Sequence, residues 1–244
     1  MIRWLKRLLL TAIALAAFVA APLVMPAPLF AYGLKHGNLS VHSDRPIHHD
    51  QAKEILAKVQ THLNRLPGLL DNKPMQIYST HAKWRHDWIW VLPANWAAGF
   101  VAVPFTRRHA FIAGADFSTN ELIKPEGNRP FPPRTLVYYS THELTHVATY
   151  QKVGWFRFVA MPEWVREGVA DYVAMPPEKA EILYQKIGRQ KSNSAITTAH
   201  GYYAPYRLLV AYFLENKNWT IEQLMASDLT FQQARSIVFK ELDS

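Results

Sequence analysis

The sequence predicts an α+β fold, and three patterns carry that prediction. Apolar runs broken by turn residues fill the first half, apolar repeats at helical spacing take over from Arg134, and an uncharged run precedes both. The architecture expected is a small mixed or antiparallel sheet whose edge strand packs on the first long helix, followed by a helical C-terminal half. Residues 1–31 stand apart from a single domain spanning 32–244.

The N-terminal run comes first. Met1–Arg7 is basic, and Leu8–Ala31 carries no charge. At ~1.5 Å per residue such a run crosses a ~30 Å hydrocarbon layer. Pro22, Pro26 and Pro28 bend its second half, which a membrane helix tolerates better than a soluble one. The positive flank places the N-terminus in the cytoplasm and everything after Tyr32 outside it. Read as a single-pass cell-membrane anchor, it puts the domain in the extracytoplasmic space, which is periplasmic in a Gram-negative cell. The alternative is a signal sequence cut near Val19-Ala20-Ala21, giving a secreted protein; Pro22 directly after that cut argues for the anchor.

Asn38–Val41 opens a first strand. Asp50–Leu66 is an amphipathic helix, with Ile55, Val59 and Leu63 on one face and Pro67-Gly68 as its stop. Met75–Ser79 and Asp87–Leu92 read as strands. Phe100–Pro104 and Ala110–Ala113 read as a hairpin with Thr106-Arg107-Arg108 at its tip. Glu126–Pro133 is a loop by its Pro and Gly content. Helices then follow at about 134–152, 162–174, 177–189, 202–215, 219–225 and 230–241, with Gly154 positioned to end the first.

Composition removes several functions. The net charge is +8, but Arg3, Lys6 and Arg7 supply three of the positive charges. No Lys/Arg stripe interleaves with aromatics, so nucleic acid is not an expected partner. The mild excess suits a solvated surface or an anionic membrane. Without cysteine there are no disulfides and no thiolate ligands, so any metal must be held by His, Asp or Glu.

One stretch carries chemistry. STHELTHVATYQKVG, residues 140–154, lies inside the first helix of the second half. His142 and His146 stand one turn apart on one face and can reach one metal ion from the same side. Glu143 is offset by ~100°, so it does not ligate with them. It can instead reach a water bound to that ion. Zinc hydrolysis needs that division between ligands and a free base. MPEWVREGVADYVA, residues 161–174, then offers a third ligand. Glu167 fits, twenty residues after His146, with Glu163 as a rival at the same helical phase. Gly168 favours Glu167 by permitting close packing against the first helix. Asp171, four residues on, can accept the free ring N–H of a ligating histidine. The other histidines lack ligand spacing.

HELTH followed by EWVREGVADYV resembles the gluzincin metallopeptidases, over residues 110–215 or so. Small, often membrane-attached members with little beyond this core (minigluzincin-like) are nearest in size. The resemblance implies a zincin-like fold, one zinc ion held by His142, His146 and Glu167, Glu143 as general base, and Asp171 supporting a ligand. It implies a peptide or protein substrate. It also implies a Tyr or His on a later helix that steadies the oxyanion; in HGYYAPY, residues 200–206, Tyr203 fits best. The strand at Ala110–Ala113 would be the edge against which an extended peptide pairs. Two departures stand out. Ala113-Gly114-Ala115-Asp116 lacks the glutamate with which aminopeptidases of the family grip a free amine, and Arg166 stands where thermolysin-like members have Asn. A reading from another class is a zinc-stabilised, membrane-anchored binding or assembly module without turnover, in which Glu143 has no task.

Overall fold

The computed structural model describes residues 2–71, 73–90, 97–130, 134–188 and 201–243. It is α+β, with a mixed six-stranded sheet and a helical C-terminal half. A long helix α1 (Ile2–Val24) leads into strands β1 (Tyr32–His36) and β2 (Leu39–Ser43), then helix α2 (His49–Leu63) and strand β3 (Met75–Thr80). Helix α3 (Lys83–Ile89), β4 (Gly99–Val101), β5 (His109–Asp116) and β6 (Glu121–Ile123) complete the first half. The second half contains α4 (Leu136–Ala160), α5 (Glu163–Ala174), the short α6 (Ala180–Leu183) with a π turn at Tyr184–Gly188, α7 (Ala204–Glu215), α8 (Ile221–Ala226) and α9 (Phe231–Leu242).

The sheet order is β1-β2-β3-β5-β4, with β6 pairing the far end of β5. β2, β3 and β5 are parallel, and β1, β4 and β6 are antiparallel to their neighbours. Side chains alternate across a strand, so the sheet feeds two cores. Ile77, Ala110 and Ile112 face the main core, which runs into α2, α4, α5 and the helices beyond. Tyr78 and Phe111 face the other way and meet Leu23 of α1, Phe30, Ile89, Trp90 and Ala102 in a smaller cluster.

Three expectations are corrected. Residues 87–90 belong to the end of α3 and its C-cap and are not a strand; 91 and 92 lie outside the described residues. The buried side chains are His86, Ile89 and Trp90, a three-and-four spacing that fits a helix and no strand. Second, β5 is not an edge. Buried from His109 to Ala115, it sits between β3 and β4, as a continuous apolar run should. The edge beside the helices is β4. β1 and β6, short and polar, had no sequence signal. The helix expected at 177–189 shrinks to α6 and its π turn, with 189 outside the described residues.

Candidate metal centre

Helix α4 begins where its first backbone donors find partners. Thr135 caps it by accepting from the Tyr138 N–H at 3.1 Å, and Asn120 accepts from Leu136 and Val137. The helix is almost wholly buried as far as Tyr150. Gly154 breaks its regularity at φ 76°, where glycine is at ease, and the chain resumes helical turns to Ala160. His142 and His146 therefore project from a rigid, inaccessible rod.

Their rings stand nearly perpendicular, and their Nε2 atoms are 3.2 Å apart. Glu167 on α5 brings Oε2 to 3.3 Å from each Nε2. A four-coordinate ion bonded to imidazole and carboxylate at ~2.0–2.1 Å holds its ligand atoms ~3.3 Å apart. The triangle of donor atoms has that edge length, so His142, His146 and Glu167 could hold a metal ion. Glu163, the rival, is not in the cluster. The Glu167 carboxyl is held far below its ordinary range: burial opposes this, but the two imidazoles outweigh it. Burial also opposes charge on His142, yet its bond to Glu167 and the charges of Glu143, Glu167 and Asp171 hold its pKa above the usual value.

Glu143 is not one of the three donors and lines the same cleft of about 220 Å³. Its carboxyl pKa is raised by burial and by Glu167, against the pull of both histidines. The edge strand passes directly over it. A Cβ built on Gly99 would lie 2.8 Å from Glu143 Cγ and 2.9 Å from Oε1. Gly99 is thus part of the site, and sequence reasoning missed it; its signal was a glycine inside a short strand, which marks close backbone approach.

Tyr203, the N-cap of α7, stacks on His142 with ring centroids 5.4 Å apart and 17° between planes. Burial and the charges of Glu167, Glu143 and Glu163 push its phenol far above the ordinary range, so it stays a hydrogen-bond donor. His200 lies outside the described residues. Ala97, Phe100, Val101, Phe158 and Arg166 complete the lining. Arg166 Nε reaches Glu167 Oε1 at 3.3 Å, which leaves Oε2 for the histidines.

Asp171 is near the site without touching an imidazole. It accepts from the Tyr138 hydroxyl at 2.6 Å and from Arg207 Nη1 at 2.8 Å. The Nδ1 atoms of His142 and His146 are buried and have no partner among the described residues. The expected contact from Asp171 to a histidine ring is therefore replaced by a relay: Asp171 fixes Tyr138, whose ring lies 5.7 Å from that of His142. Gly168 also serves a different neighbour from the one expected. It lets α5 approach α7, where Tyr206 O and Val210 Cγ2 each lie 2.8 Å from a Cβ built there.

The chain matches no family model and no curated protein.

Proposed function

We propose that this chain is a zinc-dependent peptidase of gluzincin type, anchored in a membrane by α1 and hydrolysing peptide bonds outside the cytoplasm. The observation that carries the reading is the near-equilateral triangle of Nε2, Nε2 and Oε2, with a carboxylate beside it that is left out of the ligand set. With no cysteine in the chain, a tetrahedral imidazole and carboxylate set suits zinc. The chemistry that a bound zinc ion supplies is Lewis acidity toward a carbonyl and toward water.

The remaining roles belong to this chain's side chains. Glu143 takes the proton of the attacking water at a carboxylate oxygen and delivers it to the departing nitrogen. Its raised pKa brings it nearer the neutral range, where it can both accept and release. Tyr203, protonated beside His142, donates from its hydroxyl to the oxyanion. The outer edge of β4, unpaired among the described residues, can accept an extended peptide as a further strand, with its scissile bond near Glu143. Arg3, Lys6 and Arg7 keep the N-terminus of α1 in the cytoplasm, and the apolar helix spans the bilayer.

The test is Glu143→Gln in the full-length protein. Elemental analysis should find one zinc per chain in both proteins, and cleavage of a peptide library should be lost in the variant. A wild-type chain that binds zinc and cleaves nothing would favour the non-catalytic module.

A further inference from the structure

α1 leaves the backbone carbonyls of Phe18 and Leu23 without helical partners. Pro22 has no N–H, so the Phe18 carbonyl one turn earlier loses its bond. The helix ends at Val24, so the Leu23 carbonyl has no partner beyond it. Side chains of the domain fill both places. The Trp88 indole N–H donates to Phe18 O at 3.2 Å, and His109 Nε2–H donates to Leu23 O at 2.9 Å. The Phe18 ring stacks on Trp88 with centroids 4.7 Å apart, and Leu23 is buried between strands and α3. α1 and the domain are therefore joined as one body.

That joint fixes the height of the domain. Phe18 lies six residues before the end of α1, about 9 Å along the helix axis. A helix that crosses ~30 Å of hydrocarbon uses ~20 residues, nearly all that α1 has. The surface of α3 that grips Phe18 is consequently drawn to the level of the outer headgroups or below. Its composition suits that place. Trp84 is 57% exposed on the outer side of α3, stacked toward Trp88, with the Arg85 guanidinium 4.6 Å over its ring and Lys83 beside it. On the other side of the joint, Thr106 bonds His109 Nδ1, and Phe105 beside it is 40% exposed and followed by Arg107 and Arg108. Indole rings among cations are the side chains that settle at a membrane–water boundary.

We propose that Trp84 and Phe105 sit in the headgroup–acyl boundary of the bilayer that α1 crosses, so that the domain is seated on the membrane in one orientation. The proposal rests on the reading of α1 as a membrane span. The chain's lack of cysteine permits single-site labelling. Full-length Trp84→Cys, Phe105→Cys, Ile13→Cys and Gln232→Cys would each carry a nitroxide in vesicles of phosphatidylcholine and phosphatidylglycerol. Accessibility to oxygen and to a water-soluble nickel chelate would then be read by electron paramagnetic resonance. Labels at 84, 105 and 13 should favour oxygen, and the label at 232, on α9, should favour the chelate. A label at 84 or 105 as open to the chelate as the one at 232, with 13 still in lipid, overturns the seating and leaves the anchor intact. A label at 13 open to the chelate overturns both.

Discussion

At the scale of single residues, Gly99 tests the site more sharply than the ligands do. Substituting His142, His146 or Glu167 takes away a candidate ligand and says nothing about the base. Gly99→Ala leaves the ligands alone but places a methyl 2.8–3.0 Å from three atoms of Glu143, inside any normal contact distance. The carboxylate must swing, because the strand is tied on its inner side to β5 through Gly99–Val101. A displacement of about 1 Å at a reacting group costs roughly 10²-fold in rate. The expected result is a kcat lowered by about that factor with zinc content unchanged, read by peptide cleavage and elemental analysis on one preparation. An unchanged kcat would mean that Glu143 does not work from where the strand holds it. The contrast with Asp171 is instructive. Its buried pair with Arg207 and its bond to Tyr138 hold three helices together behind His142, and they position that ring without touching it.

At the scale of elements, the sequence reveals what periodicity can encode and hides what only packing decides. The ligand spacing on α4 and the single carboxylate turned toward it from α5 were readable, because i and i+4 must share a helix face. So were α2 and α7–α9, whose apolar stripes need no knowledge of the neighbours. The end of α3 was misread because two tryptophans and an isoleucine look like a strand until the burial of His86 beside Trp90 is known. The order of strands was invisible, since a crossover leaves no mark on local pattern, and the edge was assigned to β5 when β4 occupies it. Gly168 shows the same limit, recognised as a close-packing site but matched to the wrong helix. It yields a prediction of definite sign. In an exposed helix, glycine to alanine gains about 1 kcal/mol. Here the new methyl meets a backbone oxygen and a valine methyl group at 2.8 Å, and overpacking of that kind costs about 1–3 kcal/mol. Gly168→Ala should therefore lower Tm and weaken zinc binding, because α5 relieves the contact by shifting, and Glu167, the preceding residue, shifts with it. Calorimetry and a competitive zinc chelator would read the two effects; a raised Tm would show that α5 and α7 have room to spare.

At the scale of the whole molecule, α1 and the domain meet at His109, and the burial of that ring gives the joint's stability a pH dependence. His109 is 5% exposed, donates from Nε2 to Leu23 O and takes the Thr106 hydroxyl at Nδ1, so a second proton would place a charge where water does not reach. Burial lowers its pKa to about 4, against the Leu23 bond that raises it; nearby His42 lowers it further. The folded value thus lies below the ordinary 6.5, and between the two the unfolded chain binds a proton that the folded chain refuses. The stabilisation is complete above about pH 6.5 and declines as the pH falls toward 4. A shift of this size is worth about 3 kcal/mol, at ~1.4 kcal/mol per pH unit. Other groups titrate between these pH values in both the folded and the unfolded chain, so the measurement must be a difference. Chemical denaturation of wild type and His109→Gln in the same detergent, at about pH 7.5 and about pH 4, removes every group common to both. The wild type should lose about 3 kcal/mol more than the variant across that interval. Equal losses would mean that His109 can be charged where it stands, and that its burial against Leu23 contributes no pH-dependent stability to the joint with α1.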